Sequence, residues 1–65
     1  MKREQLISEL KVVYELTFEE AVSKFRGYTT QRLEIIKKIA LKGYSCDFAI
    51  QLSGIQGAEL AISFL

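Results

Sequence analysis

Leu16-Thr17-Phe18-Glu19-Glu20-Ala21 spells the start of a helix. The Thr17 hydroxyl can accept from the backbone N–H of Glu20, the Glu20 carboxylate can reach back to the N–H of Thr17, and Leu16 and Ala21 are spaced as a hydrophobic staple. A chain that begins a helix at Phe18 has to end one before it, and the upstream residues agree. Leu6, Leu10 and Val13, with Ile7, fall on one helical stripe, leaving Lys2, Glu4, Glu9 and Lys11 for water, so a first helix is expected from about Lys2 to Tyr14. Downstream, the second helix is expected over about Phe18 to Arg26, burying Phe18, Ala21, Val22 and Phe25. Gly27 supplies the left-handed residue that commonly ends a helix.

The same signals recur along the rest of the chain. Thr29 or Thr30 caps a third helix to about Lys42, with Leu33, Ile36 and Ala40 on one face, Ile35 and Ile39 beside them, and Gly43 as the stop. Ser45 caps a fourth, which places Asp47 in its first turn, turns Phe48, Ala49 and Leu52 inward and closes at Gly54. A fifth, from about Gly57 to Leu65, carries Leu60, Ala61 and Phe64 on one side. Strand-like alternation is absent. The expected fold is all-α: a small bundle of four to five short helices forming one domain over 1–65, with short connections and no internal repeat, linker or low-complexity segment.

Composition narrows the function classes. The 65 residues are 49% hydrophobic and 26% charged, nine basic against eight acidic, a folding composition with a net charge of +1. A chain this short buries only roughly 60% of the surface its unfolded form exposes. The absence of His and the single Cys remove His-dependent catalytic triads, Cys/His zinc sites and any disulfide framework. The first helix is too broken by Ser8, Glu9 and Lys11 for a signal-peptide core, and no apolar run reaches the roughly 18 residues of a membrane span. A cytoplasmic protein without cofactor, metal or small-molecule substrate is expected. Glu19 and Glu20 diverge on their helix, so enzyme activity is not.

The stretch from Arg32 to Leu65 resembles the helix-turn-helix domains of transcription regulators and transposase-type DNA binders. The resemblance rests on Ile35 to Ser45 as supporting helix and exit, Ala49-Ile50-Gln51-Leu52-Ser53-Gly54-Ile55 as first helix with its turn glycine, and Leu60 as the core residue of the second helix. It implies base-reading side chains on that last helix, and there the sequence departs from the pattern, since only Gln56 is an ordinary base reader. All nine bases lie in positions 1–42, which carry a balance of +3, whereas positions 43–65 carry −2, the wrong sign for phosphates. A looser helix-turn-helix over Thr17 to Lys38 gives the alternative of a dimeric DNA-binding regulator, with Gln31 and Arg32 for bases and Lys24, Arg26, Lys37, Lys38 and Lys42 for phosphates. The spelling Gly54-Ile55-Gln56-Gly57 matches the phosphate clamp of KH-type RNA binders, but without basic residues or a sheet it reads as helix punctuation. Cys46, in a helix first turn, has a dipole that can lower a thiol pKa but no catalytic partner.

The last third is the most informative segment. From Tyr44 to Leu65 apolar residues make up more than half of the positions and spread around the helices, so some must be covered from more than one side. Ile50, Ile55, Ile62 and Leu65 are surplus to an internal core, and with Phe64 they form the expected anchors of a protein contact or homodimer. The bland alternative is a bundle that wraps this segment at its own centre. The expected function is a small non-enzymatic regulator, an inhibitor or adaptor of the host-regulatory or phage-encoded kind, that masks part of a larger protein.

Overall fold

A computed structural model describes residues 2–65 and contains five helices: α1 Lys2–Val13, α2 Phe18–Phe25, α3 Thr30–Leu41, α4 Cys46–Ser53 and α5 Ala58–Ile62. No strand occurs among the described residues. The capping box is present as read. Thr17 Oγ1 accepts from the Glu20 N–H at 3.1 Å, and the Thr17 N–H donates to Glu20 Oε1 at 2.9 Å. Thr29 and Ser45 cap α3 and α4 in the same way, accepting from the N–H groups of Arg32 and Phe48.

The Thr17 hydrogen bonds, the backbone N–H contributing most, hold the Glu20 carboxyl below its ordinary range, with help from the Lys24 charge. A carboxylate with a depressed pKa adds stability above its unfolded pKa and loses it as pH falls through the folded value. Glu20→Gln, which removes the charge and keeps the side-chain length, should therefore lower stability at neutral pH. The gap between variant and wild-type melting temperatures should narrow on acidification through the carboxylate range. A gap that stayed constant would show that the box contributes nothing through its charge.

The first helix ends at Val13, within a residue of its expected end near Tyr14, but the way it closes was not legible in the sequence. Glu15 takes a left-handed conformation, φ 53°, while the Leu16 N–H donates to the Lys11 carbonyl at 2.8 Å and the Glu15 N–H to Val12 at 3.2 Å. This is the Schellman closure usually built on glycine. Gly27 adopts φ 82°, as its place after α2 suggests.

α3 is the central element and packs against α1, α4 and α5, while α2 rests on α1. It contributes Leu33, Ile35, Ile36, Ile39 and Ala40 to the core. Leu6 and Leu10 from α1, Ala21 and Phe25 from α2, Ala49 from α4, and Ala58 and Ile62 from α5 complete it. Several inward assignments need correction. Phe18 is 67% exposed, because α2 is only two turns long and its capped first turn lies at the edge of the α1 contact. Val13 and Phe48 are also exposed, and Leu52 and Val22 are half-buried.

The fifth helix is rotated relative to the expectation. Leu60 and Phe64 face outward at 70% and 84% exposure, and Ala58 and Ile62 face the core. Ala58, Ala61, Ile62 and Leu65 follow the spacing i, i+3, i+4, i+7, an unbroken helical face, and its small members let α5 approach its neighbours closely. The regular helix also stops at Ile62. Ser63, Phe64 and Leu65 continue it as a tighter turn, donating to Leu60, Ala61 and Ile62.

Two arginines fasten helix ends across the fold. Arg3 on α1 donates to the carbonyls of Phe25, at 3.2 Å, and Tyr28, so it caps the C-terminus of α2 from outside. Arg32 on α3 does the same for α4. Its Nε donates to Ser53 Oγ at 3.0 Å, its Nη2 donates to the Ile50 carbonyl at 3.0 Å, and its guanidinium lies 4.1 Å from the centroid of the Tyr28 ring. Gly54 makes room for it: a Cβ there would come within 2.9 Å of Nη2, although the glycine backbone is ordinary helix.

Arg32→Ala should cost about 1.5–3 kcal/mol, the range for hydrogen bonds to a charged group, with Ser53 Oγ still donating to the Ile50 carbonyl at 2.8 Å. Arg32→Lys should not restore it, since lysine lacks the planar fork that reaches Ser53 and Ile50 while lying against the Tyr28 ring. Gly54→Ala should destabilise the wild type and be tolerated in the Arg32→Ala background. Equal effects of Gly54→Ala in both backgrounds, measured by thermal unfolding, would refute this packing.

Candidate protein-interaction surface

The exposed apolar residues of the last third are presented by α4 and α5. On α4, Cys46, Ala49, Ile50 and Ser53 make the inward face, the opposite side carries Asp47, Phe48 and Gln51, and Ile55 is exposed in the turn that follows. Phe48, Gln51, Leu52 and Ile55 line one shallow groove. Tyr44 extends the stripe, its ring stacked on Phe48 with centroids 5.0 Å apart. On α5 the outward side carries Glu59, Leu60, Ser63 and Phe64.

Of the five anchors expected from sequence, Ile55 and Phe64 are on the surface. Ile50 and Leu65 are half-buried and pack against the core. Ile62 is 9% exposed and belongs to the core, so it is corrected from surface anchor to structural residue. The physical reason is the rotation of α5: Ile62 lies one turn after Ala58, on the side where that small residue lets α5 come close to α3 and α4. Leu60 and Phe48, which sequence reasoning assigned to the interior, take its place outside. The missed signal was the unbroken 58, 61, 62, 65 spacing, which the shorter Leu60–Phe64 pair cannot match.

A correspondence between the two helices emerges from these faces, where no repeat was expected. Asp47-Phe48-Ala49-Ile50-Gln51-Leu52 and Glu59-Leu60-Ala61-Ile62-Ser63-Phe64 share the order acid, apolar, Ala, Ile, polar, apolar. In both, the Ala-Ile pair turns inward and the acid and its apolar neighbour turn outward.

The basic residues considered for DNA are dispersed in their roles. Arg32 spends its donors on α4, and Lys37 pairs with Glu9 on α1. Lys24, Arg26, Gln31, Lys38 and Lys42 are exposed. The groove between α1 and α3 is crossed by the Lys37–Glu9 and Lys2–Glu34 ion pairs. The Lys2 hydrogen bond holds the Glu34 carboxyl below its usual range. A second apolar patch, formed by Phe18 with Ile7 and Val22, sits among charges of both signs, Glu4 and Lys11.

Cys46 is half-buried, and burial pushes its thiol up, against the lowering that its place in a helix first turn suggests; Lys24 only partly offsets this. Burial likewise raises the Tyr14 phenol, whose hydroxyl contacts the Tyr44 carbonyl at 3.4 Å. No cluster of three or more potential metal ligands and no helix long and apolar enough to cross a membrane occurs among the described residues. Comparison with known proteins gives no matching family model, no matching curated protein and no matching solved structure.

Proposed function

We propose that this is a small non-enzymatic regulatory protein, an inhibitor or adaptor, that works by binding another protein through the outward sides of α4 and α5. The observation that supports this reading is that Phe48, Ile55, Leu60 and Phe64 remain on the surface although the core is complete without them. Large apolar side chains gathered on consecutive helices fit a contact that is buried only on association. Function would follow from masking: a partner surface covered by this bundle is unavailable to others. With Ile62 buried in the core, the anchors in this reading are the exposed Ile55, Leu60 and Phe64.

The test is affinity capture from the native host with wild-type protein and with Phe64→Asp, followed by titration of the recovered partner. Because Phe64 is 84% exposed, the variant should keep its helical circular dichroism while losing about 1–4 kcal/mol of binding, the range for a central anchor. Unchanged affinity for Phe64→Asp and for Ile55→Asp would remove this surface from the interaction. Salt-sensitive retention on duplex DNA, lost on mutating Lys38 and Lys42, would favour the groove-reading alternative instead.

A further inference from the structure

We infer that the surface bound by α4 and α5 is an apolar protein patch rimmed by lysine or arginine, an inference that rests on the protein-binding reading above. The two helices repeat one outward unit, an acid followed by an exposed apolar residue: Asp47 with Phe48, and Glu59 with Leu60. Among the described residues neither acid takes part in an ion pair. Positions 43–65 contain no basic residue. The nearest bases stand at the border: Lys24, which acts on Cys46 through its charge, and Lys42, just beyond the end of α3. Arg32 reaches the Ile50 carbonyl and Ser53 on the inward side of α4, so the outward acids, in the first turns of α4 and α5, have the helix dipoles but no basic side chain for company.

A face with greasy centres and unpaired carboxylates selects among occupants. Phosphate-rich surfaces, whether nucleic acid or anionic lipid, are repelled by Asp47 and Glu59. A purely apolar partner leaves both acids facing apolar surface without compensation, which costs free energy. A partner with cations around an apolar patch satisfies both groups at once. Charge complementarity of this kind acts on partner choice and encounter rate more than on total affinity.

The experiment is selection from a displayed library of random 16-residue peptides against three baits: wild type, Asp47→Lys/Glu59→Lys, and Phe64→Asp. Both substituted acids are exposed, and unchanged circular dichroism confirms that each bait is folded. Wild type should enrich peptides combining apolar residues with Lys or Arg. Their affinity should fall about three- to tenfold when salt is raised from millimolar to several tenths molar, as expected for a few exposed charge pairs. The charge-reversed bait should enrich acidic peptides, and Phe64→Asp should enrich neither. Apolar peptides without charge bias, lost on Phe64→Asp, would overturn the inference while leaving the protein-binding surface intact. Enrichment indifferent to Phe64→Asp, or no enrichment at all, would overturn both.

Discussion

Ile62→Asp should unfold the protein, whereas Phe64→Asp, two residues away, should leave its melting temperature nearly unchanged. Ile62 is 9% exposed and packs where α5 meets the core, so an aspartate there must either bury an unpaired charge or pull the helix away. The expected loss is about 3–5 kcal/mol, comparable to the whole stability of a domain this size. Phe64 sits on the opposite side of the same turn, and its replacement should cost less than about 0.5 kcal/mol, as for surface positions generally. Chemical denaturation of the two variants side by side measures both. If Phe64→Asp were the destabilising one, α5 would be rotated the other way and the interaction surface would have to be redrawn around Ile62.

Phe25→Ala should cost about 3–5 kcal/mol, the range for emptying a buried aromatic site. α2 offers the core only two buried side chains, Ala21 and Phe25, and the alanine has little surface to contribute. Phe25 is fully buried, and its carbonyl is one of the two that Arg3 caps, so its loss loosens the α1–α2 contact at the same point. The measurement is the equilibrium unfolding midpoint together with hydrogen exchange of α2 amides, which should lose protection first. Retained protection of α2 in the variant would mean that the capping box and Arg3 hold the helix without its aromatic.

These two residues also mark how far the sequence could be read. Phe25 was placed correctly because α2 has one strong apolar stripe and a capping box that fixes where it begins. Thr29, Ser45 and Gly27 punctuate their neighbours with equal clarity, so the order of the helices was legible throughout. Ile62 was not, because α5 carries apolar residues at helical spacing on both sides, and periodicity names a face without saying which one points in. The decision rests on packing: Ala58 and Ala61 lie where backbones approach, and that carries Ile62 inward with them. The same ambiguity hid the outward acid and apolar units of α4 and α5. Arg32 was misread for a different reason, since a basic residue near a helix start gives no sign that the carbonyls of another helix end will come within its reach. Glu15, in a left-handed turn that usually calls for glycine, left no trace in the sequence at all.

Arg3 and Arg32 clasp the ends of α2 and α4 with guanidinium forks that each donate to two acceptors at once. The Lys2–Glu34 and Lys37–Glu9 bridges between α1 and α3 are partly exposed ion pairs, and such pairs weaken as salt is raised. Salt thus loosens the α1–α3 side first, while Arg32, held by Ser53, Ile50 and the Tyr28 ring, keeps the end of α4 in place.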